Sequence, residues 1–177
     1  VLGVGLDTHV VNNKEVDDIL RSFFLAGVAE LDAATDLGYA YLLRQVTAKY
    51  GIHHILEGHS FVAEGITPLG RNYFDGRYIQ AIHQQYGSMP MDTYPLMTFW
   101  RFLKSALFNR VKFIRPFWYM NYSKESAQML LKGTYQWAYY GGHHLENRIT
   151  SYAHSVYLPH KFNADMRNNT LSARVRN

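Results

Sequence analysis

Hydrophobic residues recur at intervals of three and four near the amino end of the chain, which predicts an amphipathic helix over 14–28. Its apolar positions are Val16, Ile19, Leu20, Phe23 and Phe24. Asn12 or Asn13 can cap the start of this helix, and Gly27 can end it. We therefore expect these five apolar side chains to face a core.

A second helical period covers 36–51 and leads directly into an apolar run at 52–56. Thr35 and Asp36 are typical of a helix start, and Gly51 is typical of a helix end. The apolar run predicts a short buried strand. Helix, glycine turn, strand and glycine-containing loop form half of a βαβ repeat.

The rest of the chain predicts mostly helices. Helical patterns cover 76–86, 97–109, 123–133 and 147–158, a further helix is capped by Asp165, and strands are predicted at 1–7 and 111–114. The fold class is therefore α/β, with an α/β portion over 1–70 and a mostly helical region over 71–177.

Composition narrows the class of function. The net charge of +4 suits an anionic partner, but no run of five Lys or Arg and no groove-reading motif occurs, which favours a phosphorylated small molecule over nucleic acid. Nucleic-acid binding through the tyrosines is also disfavoured because the aromatic residues are expected to face the core. The absence of cysteine excludes thiolate catalysis. Without a leader or an apolar stretch of about 18 residues, we expect a cytoplasmic protein without a membrane segment.

The loop 57–65 is the first candidate site. It contains Gly58, His59, Ser60, Glu64 and Gly65. Glycine lets backbone amides approach a phosphate, and a carboxylate can hold the accompanying Mg²⁺. Ligands of βαβ folds bind beyond the carboxyl ends of the strands, so we expect a phosphate-containing ligand here, with Asp36 near the same crevice. The alternatives are a plain turn for the loop and a plain helix cap for Asp36.

The segment 140–148 is the second candidate site. Its polar residues are His143, His144, Glu146 and Arg148. An acid, a base and a cation on a glycine turn suit an anionic polar substrate, which Arg148 could hold through two hydrogen bonds. The alternative is a helix-entry loop with surface charges. Arg167 is a further substrate-side candidate, and the alternative for it is a local pair with Asp165.

Nine histidines raise the question of a metal site. The spacing of His53, His54, Glu57 and His59 matches no zinc-hydrolase motif, and neighbouring residues of a strand point to opposite faces. A transition-metal site is therefore not expected.

Taken in order, short motifs along nearly the whole chain resemble those of the N-acetyl sugar amidotransferase family of lipopolysaccharide and flagellin-glycan biosynthesis. The motifs are Phe23-Phe24-Leu25-Ala26, Thr35-Asp36, Lys49-Tyr50-Gly51-Ile52, Glu64-Gly65-Ile66-x-Pro68, Ile79-x-x-Ile82-His83, Thr93-Tyr94-Pro95, Tyr140-Gly141-Gly142-x-His144-x-Glu146, Leu158-Pro159-x-Lys161-Phe162 and Asp165-x-Arg167. Each motif alone is common, so the resemblance depends on their succession.

The resemblance implies a Rossmann-like, PP-loop ATP pyrophosphatase type of sheet, with 1–70 as the carboxy-terminal part of an ATP-binding domain and 71–177 on the substrate side. ATP would adenylate the acetamido oxygen of a UDP-sugar, and ammonia from glutaminase- and cyclase-like subunits would displace AMP. On this basis ATP and Mg²⁺ are assigned to Asp36, Gly58, His59, Ser60 and Glu64, with Glu64 as the Mg²⁺ ligand. The catalytic residues would be His144, Glu146 and Arg148, and Arg167 would bind substrate. Neither nucleic acid nor a membrane is an expected partner.

The sequence departs from the family pattern in three places. The family's phosphate-binding loop and amino-terminal cysteines do not occur in it, so we expect them upstream of Val1 and expect this chain alone to be inactive. His143 stands where the family more often has Lys, and Ser151-Tyr152 where it has Arg and an aromatic residue. A non-catalytic relative that binds nucleotide-sugars or scaffolds glycan assembly is the alternative function.

Overall fold

The computed structural model describes residues 3–60, 75–141, 147–165 and Asn168. Within these ranges the helices are α1 (Asn13–Ala26), α2 (Ala33–Tyr50), α3 (Gly76–Tyr86), α4 (Phe99–Asn109), α5 (Lys124–Tyr135), α6 (Arg148–Tyr152) and α7 (Leu158–Phe162). The strands are β1 (His54–Leu56) and β2 (Lys112–Ile114), and they pair as a two-stranded parallel sheet. Among the described residues, the protein is therefore α/β and dominated by helices. No helix in these ranges has the length and apolarity needed to cross a bilayer.

The helix starts follow the capping residues of the sequence. Side-chain oxygens of Asn12, Asp75, Thr98, Ser123 and Asn147 accept hydrogen bonds from backbone N–H groups of the first turns. These bonds satisfy donors that have no partner within the helix. The predicted helix 76–86 is confirmed at both ends, and the first helix ends, as predicted, at a left-handed Gly27.

The strand predicted over 1–7 is wrong for the residues described, because 3–12 has no regular secondary structure. Among the described residues, no neighbouring strand supplies the backbone partners that a strand requires. Side chains hold the segment instead. The Asp7 carboxylate accepts hydrogen bonds from the hydroxyl of Tyr50, at 2.7 Å, and from Lys49 Nζ, at 3.2 Å.

Helix α2 begins at Ala33, two residues before the predicted start at Thr35 and Asp36. Ala33, Ala34 and Leu37 share one buried face, and this face forms only if the helix already includes Ala33. Asp36 therefore lies in the first turn of α2 and is not its cap. Its side chain is exposed.

Two further boundaries differ from prediction. Helix α5 runs past Gly133 to Tyr135 and ends where Gln136 takes a left-handed conformation. Pro159 does not end the carboxy-terminal helix, which continues from α6 through a π-helical turn (Ala153–Tyr157) into α7. Pro159 lies in the first turn of α7, immediately after the π turn, where the helical hydrogen-bond ladder is already altered.

Many side chains that were expected to be buried are exposed. The strand β1 is not a buried strand, since Leu56 is 72% exposed. Helices α4 and α5 bury none of their residues, and Trp100 on α4 is 63% exposed. The described residues do not cover these apolar faces. The expectation that the aromatic residues face the core is therefore wrong for these helices. Burial of the aromatic residues no longer argues against nucleic-acid binding, and only the absence of a run of Lys or Arg and of a groove-reading motif still does.

The chain divides into two compact units. One comprises Val1–Ile55 and Asn72–Lys112, and the other comprises Leu56–Arg71 and Phe113–Asn177. The first unit is discontinuous because α3 returns to pack on α1. The predicted functional boundary near residue 70 lies outside the described residues and stays a prediction.

The core of the first unit lies between α1 and α3. Ile19 and Phe23 of α1 and Ile79 of α3 are fully buried. Phe23 also meets Tyr78 edge to face, with the ring centroids 5.8 Å apart. Buried side chains of this size stabilise a fold by roughly 2 kcal/mol each.

The inner face of α1 also buries two carboxylates. Two side chains donate hydrogen bonds to Asp18: His83 Nε2 at 2.9 Å and the Ser88 hydroxyl at 2.6 Å. Two backbone N–H groups also donate to it, that of Ser88 at 2.8 Å and that of Met89 at 3.2 Å. Glu15, one turn earlier, accepts from the backbone N–H and the hydroxyl of Thr93. The two carboxylates thereby fix the segment that connects α3 to α4.

The hydrogen bonds to Asp18, chiefly the one from the Ser88 hydroxyl, lower the pKa of its carboxyl group to about 2. A folded-state pKa below the unfolded value means that the ionised carboxylate stabilises the fold above pH of about 4. This contribution decreases as the pH falls towards about 2.

We predict that Asp18→Asn lowers the free energy of unfolding at pH 7, because the amide leaves buried donors without an acceptor. The expected loss is roughly 1–3 kcal/mol, and the difference from wild type should shrink below pH of about 4. Urea unfolding measured across this pH range checks both points. The control is Asp17→Asn, which changes an exposed neighbour and should stay within about 0.5 kcal/mol of wild type. Equal effects of the two substitutions would contradict the structural role of Asp18.

Candidate functional site

The parallel pairing of β1 and β2 brings the carboxyl ends of both strands to one edge of the sheet. The backbone N–H of Lys112 donates to the carbonyl of His53 at 2.8 Å, and the N–H of Glu57 donates to the carbonyl of Ile114 at 2.9 Å. Glu57 and Arg115, each the first residue after its strand, are therefore neighbours although 58 positions separate them.

Glu57 and Arg115 form an ion pair at this edge. Arg115 Nε donates to Glu57 Oε2 at 2.7 Å, and both side chains are half-buried. Pro116 ends the strand and starts a 3₁₀ turn (Pro116–Trp118), which places Trp118 against Arg115. The guanidinium carbon lies 4.9 Å from the Trp118 ring centroid, a cation–π distance. The carboxylate and the ring together fix the orientation of the guanidinium.

The pair occupies only the Nε atom of Arg115. Within the described residues the two terminal nitrogens of this guanidinium make no hydrogen bond. A guanidinium held in this way presents donors in a plane, the geometry that suits a phosphate or a carboxylate.

Ser60 lies three residues after Glu57 and is buried, with 2% of its surface exposed. Its hydroxyl has no hydrogen-bond partner among the residues that the structure describes. A buried hydroxyl without a partner is unfavourable by roughly 1–3 kcal/mol. A bound ligand or an ordered water is the kind of group that satisfies such a hydroxyl.

Gly58 lies between these residues and is exposed. A Cβ atom built on Gly58 would meet no described atom within 4 Å, and the backbone of Gly58 is not left-handed. Neither packing nor conformation therefore demands glycine at this position. Open space over the backbone is what a phosphate needs in order to approach the amide groups.

We refer to Glu57, Gly58, Ser60, Arg115 and Trp118 as the sheet-edge site. It includes an oriented guanidinium, open space over the backbone of Gly58, and a buried hydroxyl that has no partner among the described residues. These groups donate hydrogen bonds, so the site is suited to an anion such as a phosphate group. Catalysis at this edge would require further groups.

The structure describes only part of the predicted nucleotide site. Gly58 and Ser60 belong to the sheet-edge site, and His59 between them is half-buried. Asp36 belongs to the other compact unit, so its proximity to the loop stays a prediction. Glu64 lies outside the described residues, and its role as the Mg²⁺ ligand stays a prediction.

The predicted substrate-side residues are mostly outside the described ranges. His144, Glu146 and Arg167 are not described. Arg148 is the first residue of α6, where its side chain is exposed. In the described part of the chain it makes no hydrogen bond or ion pair with the sheet-edge site.

Sequence reasoning missed Arg115 and Trp118. Arg115 directly follows the predicted strand 111–114, as Glu57 follows β1, and this shared position was the signal that could have identified it. Trp118 carries no such signal, because its position depends on the 3₁₀ turn that Pro116 begins.

A second polar cluster combines Ser88, His83 and Asp18, the residue types of a hydrolase triad. Its connectivity differs from that of a triad, because both the serine hydroxyl and the imidazole donate to the carboxylate. In a triad the imidazole accepts the hydroxyl proton. The cluster therefore serves to hold the connection between α3 and α4 and lacks the geometry for nucleophilic catalysis.

Across the described ranges, no group of three His, Asp or Glu side chains is arranged to hold a metal ion. Comparison with known proteins gives no match to a family model, to a curated protein or to a solved structure. The family resemblance therefore stays a prediction from the order of the motifs.

We predict that Ser60→Ala stabilises the ligand-free protein by about 1 kcal/mol, because it removes a buried hydroxyl without a partner. The same substitution should weaken Mg·ATP binding by the full-length protein roughly tenfold, the value of one hydrogen bond to a charged group. Urea unfolding and titration calorimetry measure the two effects.

The matched control is Ser22→Ala, because the Ser22 hydroxyl is also buried but donates to the carbonyl of Ile19 at 2.6 Å. This variant should lose stability and keep the wild-type ATP affinity. A loss of stability in Ser60→Ala with unchanged ATP affinity would show that the Ser60 hydroxyl has a structural role.

Proposed function

We propose that the chain is part of a cytoplasmic, ATP-dependent amidotransferase that converts the acetamido group of a nucleotide-activated sugar to an acetamidino group. The pathway would be lipopolysaccharide O-antigen or flagellin-glycan biosynthesis. The ordered motifs support the family, and the sheet-edge site supports a phosphate-containing ligand.

The observation that carries the proposal is the buried hydroxyl of Ser60, in the segment that follows β1 of a parallel sheet, which has no partner among the described residues. Ligands of open α/β sheets bind outside this edge. The oriented guanidinium of Arg115 adds a cation at the same edge. Together these groups match the triphosphate of ATP better than they match a neutral ligand.

The proposed function also implies a larger sheet than the two strands described. The two described strands would be part of a larger Rossmann-like sheet of the PP-loop ATP pyrophosphatase type, and Asp36 would lie near the nucleotide. Glu64 would coordinate the Mg²⁺ that neutralises the phosphates, since a carboxylate is its usual protein ligand.

The proposed reaction has two steps. The acetamido oxygen of the sugar attacks the α-phosphorus of ATP, a P–O bond forms, and pyrophosphate leaves. Ammonia then adds to the acetamido carbon, and the C–O bond breaks as AMP departs with the oxygen. Loss of one proton from the added nitrogen leaves the amidinium cation, the form that the product keeps in neutral water.

The residues of this chain would bind and orient the reactants. Arg115 and Ser60 would donate hydrogen bonds to the phosphates, including the pyrophosphate whose negative charge increases as it leaves. His144 and Glu146 would move protons during the attack of ammonia, and Arg148 and Arg167 would bind the sugar nucleotide. Glutaminase- and cyclase-like subunits would supply the ammonia.

The test of this function is mass spectrometry of a UDP-N-acetyl sugar incubated with the full-length protein, Mg·ATP and ammonium. The expected product has NH in place of the acetamido oxygen, with AMP and pyrophosphate formed in equal amounts. Sugar binding without any ATP-dependent product would favour the non-catalytic, nucleotide-sugar-binding or scaffolding alternative.

We predict that Glu64→Ala and Arg115→Ala each reduce this amidine formation at least tenfold. The first removes the carboxylate that would hold Mg²⁺ against the phosphates, and the second removes a cation that would neutralise them. The control is Arg77→Ala, which changes an exposed arginine on α3 and should leave the rate unchanged. A near wild-type rate in Glu64→Ala would overturn the Mg²⁺ assignment, and one in Arg115→Ala would overturn the role of the sheet-edge site.

A further inference from the structure

One face of helix α5 lines a groove of about 310 Å³ in the second compact unit. The helix contributes Glu125, Gln128, Met129 and Lys132. These positions are three, four and seven residues apart and so share one side of the helix. Trp137 and Tyr139, which follow the helix, complete the lining. The volume lies at the lower end of the range for small-molecule sites.

The turn after α5 places the aromatic residues. Gln136 takes a left-handed conformation with φ of 54°, and its N–H and that of Trp137 both donate to the Leu131 carbonyl. These bonds reverse the chain so that Trp137 returns towards the helix. A left-handed conformation is unfavourable for a residue other than glycine by roughly 1 kcal/mol.

Trp137 and Tyr139 of the groove contact each other and the neighbouring Tyr140, which does not line the groove. The Trp137 ring meets Tyr140 edge to face, with centroids 5.7 Å apart, and lies 5.9 Å from the Tyr139 ring. Tyr139 and Tyr140 are 5.8 Å apart. Contacts of this kind restrict ring motion, so the groove has an ordered aromatic wall.

Core packing does not account for this arrangement. Helix α5 buries none of its residues, Met129 is 69% exposed, and Tyr139 is 55% exposed. Rings with exposed surface beside a carboxylate, an amide and an ammonium group have the composition of a polar-ligand site.

We propose that this groove binds the sugar and diphosphate of a nucleotide-linked N-acetyl sugar. The aromatic wall contacts the apolar face of the sugar ring, as aromatic rings do with flat ligands. The Gln128 amide pairs with the acetamido group, and Glu125 accepts hydrogen bonds from sugar hydroxyls. Lys132 neutralises the diphosphate. The choice of an N-acetyl sugar rests on the proposed function, whereas the location rests on the groove.

The probe is UDP-N-acetylglucosamine, titrated into the full chain and followed by tryptophan fluorescence and calorimetry. The chain has three tryptophans. The ligand should change the fluorescence of wild type and of Trp100→Phe, whose substituted residue is exposed on α4. The change should be absent in Trp137→Phe, which keeps a ring and so keeps most of the affinity.

Two truncations test the contacts. Trp137→Ala should weaken binding by about tenfold or more, the usual loss when a stacking ring is removed. Lys132→Ala should weaken binding of UDP-N-acetylglucosamine and of UDP, and should reduce the salt dependence of both affinities. The control is Lys104→Ala, an exposed lysine of α4, which should match wild type. Far-ultraviolet circular dichroism confirms that each variant is folded.

The outcomes separate this proposal from the proposed function. Wild-type affinity in folded Trp137→Ala and Lys132→Ala overturns the groove, whether or not amidine forms. Failure of wild type to bind UDP-N-acetylglucosamine at millimolar concentration overturns it as well. Weakened binding in both variants supports the groove even where no ATP-dependent product appears, and in that case only the catalytic function fails.

Discussion

The parallel register of two three-residue strands is the constraint on which the candidate site depends. Because both strands run in the same direction, their carboxyl ends meet, and Glu57 contacts Arg115 across a separation of 58 positions. An antiparallel pairing would place these two residues at opposite edges. The ion pair follows from this register, and the Trp118 ring then lies 4.9 Å from the guanidinium carbon of the paired Arg115.

The first compact unit depends on polar burial as well as on apolar packing. Asp18 and Glu15 lie on the same face of α1 as Ile19 and Phe23, so the helix that forms the core also holds the connection from α3 to α4. Their partners include His83 and Thr93, two positions of the motifs that suggested the family. At these two positions the motif therefore reflects a folding requirement.

The sequence predicted the helix ends that are determined by residues close to them in the chain. The helix ends were predictable from the capping residues Asn12 and Ser123 and from Gly27. Each of these residues acts on backbone groups only a few positions away, so no distant segment is needed. The sequence did not predict the exposure of Leu56 or the role of Arg115, because both depend on which distant segments are neighbours. The buried carboxylate of Asp18 was missed although its spacing from Ile19 and Phe23 placed it on the same helical face. Acidic residues are usually solvated, so the helical period alone does not identify a buried one.

The central claim is that a nucleotide binds at the sheet edge through Ser60 and Arg115. The most direct measurement is a crystal structure of the full-length protein with Mg²⁺ and a non-hydrolysable ATP analogue. We expect phosphate oxygens within about 3 Å of the Ser60 hydroxyl and of a terminal nitrogen of Arg115. A nucleotide bound elsewhere, with the Ser60 hydroxyl still lacking a partner, would contradict the claim.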